Sequence, residues 1–364
     1  STDSLYVNSG TKADGFLAKY NSSGAFLWAK KIGSNQAAQN CTSIEIDIDG
    51  NILIGGYYND SIAIGSDYYI NPFALYIAKL SNSGEFIWTK QIKTKNSTTR
   101  INDFVAYNDG YYVNGRFIDT VFFDIGNKIS YNLTKSDAFL YKTDLDGNGI
   151  WVRRSYSDGE TYVGAISRDL YENTYYVGDF TGTFFQADAT STTKSEINNN
   201  NGLNDIFILK YNKSGNLIWA KTYGGLGEEW GRGLNYKDGF LYTTGNFSDE
   251  IIFGENTLNS TGVGDLDIFI GIIDKEGNPI RAKSIVGIDG DDSGISLSVD
   301  NNINAYLGGY FKSSSIIIGD STYINPSLGS DVLLLAKYKP LFSATLTKKT
   351  NPTCYGYTDG ELIV

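Results

Sequence analysis

Polar and apolar residues along this chain follow a period of two wherever a pattern can be read, and no stretch convincingly carries the repeat of a helix. Ser43-Ile44-Glu45-Ile46-Asp47 alternates residue by residue and is followed, across Asp49-Gly50-Asn51, by Ile52-Leu53-Ile54-Gly55-Gly56. Two such stretches around a glycine turn predict a β-hairpin, because the turn needs a residue with positive φ. The same turn recurs as Asp109-Gly110 and Asp238-Gly239, with Asn173 and Asn302 expected to stand in for glycine, since Asn tolerates the left-handed region. A second kind of hairpin joins Phe207-Ile208-Leu209-Lys210-Tyr211 to Leu217-Ile218-Trp219-Ala220-Lys221 through Asn212-Lys213-Ser214-Gly215.

These hairpins repeat. Asp14-Gly15-Phe16-Leu17-Ala18-Lys19-Tyr20 leads through Gly24 to Trp28-Ala29-Lys30 with the spacing that takes Asp205 through Gly215 to Trp219-Ala220-Lys221. The turn glycine recurs at Gly24, Gly84, Gly147, Gly215 and Gly277, at intervals of 60, 63, 68 and 62 residues. Trp28, Trp88, Trp151 and Trp219 follow four positions behind, with Arg281 in the fifth place. An independent Gly-x-aromatic signature falls at Gly56/Tyr58, Gly115/Phe117, Gly178/Phe180, Gly245/Phe247 and Gly309/Phe311. Two markers thus share one period of four strands.

Four-stranded antiparallel units repeated at a fixed period, rich in Gly and aromatics, predict an all-β chain folded as a β-propeller. The once-per-repeat Trp28, Trp88, Trp151 and Trp219 are expected to pack blade on blade. With strands like residues 43–47 innermost, five complete four-stranded blades fit between about residues 42 and 348, inner hairpin first. Residues 14–32 are then an outer hairpin with no inner hairpin of its own, a partial sixth blade; upstream chain would complete six or extend the ring to seven. Residues 3–8 resemble residues 320–325, so the sequence begins in mid-repeat, and the absence of an initiator Met at Ser1 suggests a processed protein or an excerpt of a longer one.

The pattern Asp-x-Phe-x-x-Lys-Tyr, Gly, Trp-x-Lys, Asp-Gly-Asn, Gly-x-Phe resembles the SBBP-type β-propeller repeat of large secreted bacterial proteins, over residues 14–339. The tail, Asn351-Pro352-Thr353-Cys354-Tyr355-Gly356-Tyr357-Thr358-Asp359-Gly360-Glu361-Leu362-Ile363-Val364, resembles the opening strand of a SprB-type repeat, a small β-sandwich module of giant Bacteroidetes surface adhesins. The resemblance implies a propeller over residues 1–348 and the start of a second module over 349–364. It also implies an extracellular, cell-surface protein exported by type IX secretion, of the kind used in attachment or gliding. Cys354 matches that module's cysteine, so the resemblance implies a partner beyond residue 364 or a free thiol for it over a bond to Cys41.

Composition narrows the chemistry. The chain has no His and no Met, which removes Ser-His-Asp and Cys-His mechanisms and imidazole-ligated metals from this stretch. Its 30 basic and 41 acidic residues give a net charge of −11, which disfavours nucleic acid and anionic membranes as partners. No apolar run reaches the length that spans a bilayer.

Several groups stand out against this background. Asp144, Asp146 and Asn148 alternate like the opening of a calcium loop, yet position 12 is Ser155 and the sister sites Asn21-Ser22-Ser23-Gly24 and Asn212-Lys213-Ser214-Gly215 read as hairpin turns. No cofactor is expected apart from Ca2+ there. The loops Gly227-Glu228-Glu229-Trp230 and Asp289-Gly290-Asp291-Asp292 belong to the set that converges on one rim of a propeller. Glu228, Glu229, Trp230, Asp291 and Asp292 are accordingly candidate binding residues; alternatively Trp230 plugs the axis or packs between blades. Glu45 and Asp47 share a strand face and are candidates to line the central channel, the arrangement in which paired carboxylates would be sought. Asp-Ser/Thr pairs at Ser4, Ser61, Thr120 and Ser321 resemble the O-glycosylation motif of exported Bacteroidetes proteins.

The expectation is a non-enzymatic propeller of a large surface adhesin. It presents rim loops to a glycan or protein ligand, or spaces other modules of the same chain. The alternatives are a subunit of an extracellular filament and an ancillary domain of a polysaccharide-degrading enzyme. The other partners are the secretion machinery and the chain's own modules, without nucleic acid or membrane insertion.

Overall fold

A computed structural model describes residues 14–339 except 34–37, 126–127, 131–133, 188–194, 199–202, 263, 320 and 327–328. Beyond 339 it describes only a two-residue pairing of Lys348–Lys349 with Leu362–Ile363, so the tail module and Cys354 lie outside the described residues.

The chain opens with an antiparallel pair, β1 (Gly15–Tyr20) and β2 (Phe26–Ile32). The first blade is a meander of β3 (Gln39–Ile46), β4 (Ile52–Ile64), β5 (Asp67–Leu80) and β6 (Phe86–Thr94). The second begins with β7 (Arg100–Tyr107) and β8 (Gly110–Phe117). The chain then makes a small hairpin, β9 (Thr120–Phe122) and β10 (Lys128–Ser130), before the blade's outer strands β11 (Asp137–Thr143) and β12 (Gly149–Ser157).

That small hairpin pairs backwards. β9 bonds to β6, so the first sheet has six strands in the order β10-β9-β6-β5-β4-β3. The device repeats in the third blade, with β13 (Thr161–Arg168), β14 (Thr174–Phe180), β15 (Thr183–Ala187), β16 (Ser195–Asn198), β17 (Asp205–Tyr211) and β18 (Leu217–Gly225). The fourth follows with β19 (Glu229–Lys237), β20 (Phe240–Phe247), β21 (Glu250–Phe253), β22 (Asn256–Asn259), β23 (Asp267–Asp274) and β24 (Pro279–Gly287). The fifth has β25 (Asp292–Val299), β26 (Ala305–Phe311), β27 (Ser315–Ile318), β28 (Ser321–Ile324) and β29 (Val332–Tyr338).

The four-stranded blades expected from the repeat are therefore six-stranded in the first four, each receiving a hairpin from the repeat after it. Among the described residues the fifth shows three strands, β25-β26-β29. β1 and β2 stand as a separate two-stranded sheet, the expected half-blade. The inner strands β3, β7, β13, β19 and β25 pack side by side in chain order, which makes the molecule a β-propeller.

Its apolar core is divided into packets between blades. One joins Tyr107 and Tyr112 of the second blade to Tyr176 and Phe207 of the third, and the next joins Tyr175 and Ile208 of the third to Leu241 and Phe269 of the fourth. The turn expectation needs one correction. The left-handed residues of the third and fifth inner hairpins are Glu172 (φ 63°) and Ile303 (φ 60°), not Asn173 and Asn302. Asp169 and Asp300 hold those loops by accepting the N–H of Asn173 and of Asn304, which leaves the left-handed position one residue earlier.

Candidate functional site

Each inner strand breaks register with its neighbour once, and always at the same height. The irregularities lie between Cys41 and Ser43, Ile101 and Asp103, Val163 and Ile166, Gly231 and Gly233, and Gly294 and Ser296. A β-bulge redirects the extra side chain and sharpens the local twist. Here the bulged residues Thr42, Asn102, Gly164, Arg232 and Ile295 line a central channel of about 1310 Å³.

The Gly-x-aromatic signature belongs to these bulges. A Cβ on Gly56, Gly115, Gly178, Gly245 or Gly309 would lie 1.7–2.3 Å from the carbonyl oxygen of Asn40, Arg100, Tyr162, Trp230 or Ser293 respectively, the residue two before each bulge. The bulges also tie blade to blade. Thr42 Oγ1 donates to the carbonyl of Ile101 (3.0 Å) and Asn102 Nδ2 to that of Val163 (2.8 Å). Gly164, third in the series, abuts the next blade directly, and a Cβ there would be 2.4 Å from the Arg232 carbonyl.

Three arginines meet at the leading end of these strands. Arg100 precedes the bulge in β7 and stands directly opposite Arg116 of β8, while Arg232 is itself the bulged residue of β19. With Tyr57, Asn102 and Tyr162 they enclose a pocket of about 410 Å³ that no Asp or Glu lines. The Arg100 guanidinium lies 3.5 Å from the Tyr57 ring centroid, Arg116 5.2 Å from Tyr162, and Arg232 5.1 Å from Trp230. Arg100 Nη1 donates to the carbonyls of Ser97 and Thr99, which fixes its plane. The nearby carboxylate is Asp179, buried behind the pocket and bonded to Asn204 Nδ2 at 3.3 Å. Burial pushes its pKa up to about 6 against the pull of Arg232, Asn204 and Arg116.

Deeper in the channel, Glu45 accepts the N–H of Ala106 (3.4 Å) and is pushed up to about 7 by burial. Asp103 is occupied by the N–H groups of Phe104 and Ile166 and by Ser43 Oγ. Asp47 does not join Glu45 in the channel: its carboxylate holds the Asn51 turn and pairs with Lys79 at 2.9 Å. The expected shared face is broken because Asp47 ends the strand and caps its turn.

The rim acids of the two loops mostly serve the fold. Glu229 is fully buried, accepts the N–H of Gly225 (3.2 Å), and is pushed up to about 9 by burial and by the neighbouring Asp205. Asp292 is also fully buried and bonded to the N–H groups of Lys312 and Ser313 and to Ser313 Oγ. Asp291 accepts the N–H of Leu266, and the Glu228 N–H donates to Ser248 Oγ. Trp230 is half-buried beside Arg232, so strand alternation separates it from its sequence neighbour Glu229.

Asp144 accepts the N–H groups of Asp146 and Asn148 and the Asn148 amide, the same turn that Asp274 makes with Glu276 and Asn278. Among the described residues no cluster of three or more His, Cys, Asp or Glu is placed to hold a metal. Ser61 and Thr120 are buried and Ser321 is exposed, while Ser4 lies outside the described residues. Trp88, Trp151 and Trp219 each donate their indole N–H to a carbonyl in the next repeat, those of Leu145, Lys213 and Lys275. The Trp28 ring faces Gly84, whose Cβ would lie 3.2 Å away.

The arginine pocket was missed from the sequence. Its members sit 16 and 116 positions apart and carry no motif; only Arg116 lies within a Gly-x-aromatic signature, and Arg100 and Arg232 reach it only through strand pairing.

No family model matches the chain. It is 22% identical over 234 residues to the uncharacterized WD repeat-containing protein L264 of Acanthamoeba polyphaga mimivirus, covering 56% of this chain and only 17% of that protein. Similar solved structures include a protein of unknown function from Bacteroides caccae, 9% identical, covering 79% of this chain and 76% of that one at a TM-score of 0.40. BamB from Moraxella catarrhalis is 12% identical, covering 80% and 88% at 0.32, and the Neurospora crassa Pan2 WD40 domain is 10% identical, covering 73% and 85% at 0.31.

Proposed function

We propose that this propeller is a non-enzymatic binding module that takes its ligand at the mouth of the central channel. The observation that carries the reading is the arginine pocket of Arg100, Arg116 and Arg232, a cationic recess that no carboxylate lines in a chain of net charge −11. A propeller is a scaffold that holds such groups at fixed distances, and it is the site it carries that argues for an interaction module. The repeat pattern and the tail support a setting in a large, secreted, extracellular surface protein of the adhesin type, in which this module binds a surface glycan or protein.

The test is a plug. Ile295→Trp places an indole in the channel, at the exposed bulge residue of β25. The purified protein, screened on an array of oligosaccharides and peptides, is expected to show saturable binding that this variant loses while keeping its unfolding transition. Equal binding by both proteins, or none by the parent, overturns the reading.

A further inference from the structure

We infer that the pocket formed by Arg100, Arg116 and Arg232 is a receptor for the carboxylate of an acidic sugar, a uronic-acid residue entering the channel mouth. This inference rests on the binding reading above and names the ligand class for that site.

Three features of the pocket select an anion. Arg100 and Arg116 are direct cross-strand partners, and like charges in that position repel each other. No ion pair joins Arg100, Arg116 or Arg232 to a carboxylate among the described residues, so no protein group offsets the repulsion at contact distance. The third cation comes from another blade, and its position on a bulge aims it at the other two.

The shape of the donors suits a carboxylate. Two of the three guanidiniums lie over tyrosine rings of their own pocket, Tyr57 and Tyr162. Stacking uses the face of the guanidinium; with Arg100 Nη1 already given to the Ser97 and Thr99 carbonyls, the remaining in-plane N–H groups of Arg100 and those of Arg116 form the fork that matches a planar carboxylate in two parallel bonds.

The neighbouring acceptor selects a sugar. Asn102 donates through Nδ2 to Val163, so its Oδ1 points the other way, and that oxygen is buried without a partner at the pocket wall. An O–H of a ligand held in the pocket is the donor that this oxygen lacks. A uronic acid carries hydroxyls within a few bonds of its carboxylate; an aspartate or glutamate side chain has none.

Calorimetric titration of the intact protein with tetramers of galacturonate, glucuronate and mannuronate, with methyl-esterified tetragalacturonate and with tetraglutamate tests this. At least one uronate is expected to bind, weakening as salt is raised from about 20 to 500 mM. The methyl ester and tetraglutamate should bind at least about tenfold more weakly, the fold-change of one lost charge-assisted hydrogen bond. Arg116→Lys, which keeps the charge and loses the fork, and Arg232→Gln should each lower affinity by a similar factor with an unchanged unfolding transition. Tetraglutamate binding as tightly as any uronate overturns the choice of a sugar, and equal binding of the methyl ester overturns the carboxylate. If no uronate binds while a neutral oligosaccharide does and Ile295→Trp blocks it, this inference fails and the binding function stands.

Discussion

The indole N–H of Trp151 donates to the carbonyl of Lys213 in the next repeat at 3.2 Å, and its ring lies so close to Gly215 that a Cβ there would be 2.8 Å from Cε2. Gly215 also has a φ of 75°, so one glycine both closes its own turn and receives its neighbour's tryptophan. Gly147 stands in the same relation to Trp88. The once-per-repeat Trp and Gly are two sides of one contact between blades.

Trp151→Ala is therefore expected to lower the unfolding free energy by about 3 kcal/mol, the usual cost of truncating a buried tryptophan. Trp88 is less buried, and its truncation should cost less. Urea unfolding with the slope compared between variants measures both.

Gly164→Ala should destabilise the protein by about 1–3 kcal/mol, because the added methyl meets the Arg232 carbonyl of the next blade. Thermal unfolding reports this, and a transition unchanged from the parent would mean that the blades separate there without cost.

Stability should fall as pH rises from about 4.5 to 9. Burial pushes Glu229 from 4.5 up to about 9, Glu45 from 4.5 to about 7, and Asp137 from 3.8 to about 7. Burial likewise raises Asp179 and Asp292 from 3.8 to about 6. A carboxyl with a raised folded pKa holds its proton more tightly when folded. It contributes stability below its ordinary pKa, and that contribution is lost as pH rises through the folded value. Turn acids such as Asp300, held near 2 by the Asn304 bonds, act in the opposite sense only below about pH 4. The melting temperature at pH 5 should exceed that at pH 8, and Glu229→Gln should flatten the curve.

Arg116→Gln separates binding from folding. Relief of the repulsion from Arg100 offsets the lost stacking on Tyr162, so the unfolding free energy should stay within about 0.5 kcal/mol of the parent. Uronate affinity should fall at the same time, which calorimetry beside thermal unfolding reads.

Much of the propeller was legible in the residues alone. The hairpin turns at Gly24, Gly84, Gly147, Gly215 and Gly277 all take positive φ, and the inner strands are those that alternate like residues 43–47. The added hairpins were not legible. β9 is three residues long and pairs with a strand of the previous repeat, so neither its length nor its neighbours in sequence announce it.

By itself, the order of residues determined the repeat, the turns and the faces that pack, because each depends on side chains a few positions apart. Only the tertiary structure decided which polar groups support the fold and which gather in a pocket. Glu229 and Asp292 looked like rim ligands and are buried supports, whereas Arg100, Arg116 and Arg232 looked unremarkable and share one pocket. The difference is one of range: hairpin pairing is local, while burial, charge and the closeness of residues from different blades exist only once the ring brings them together.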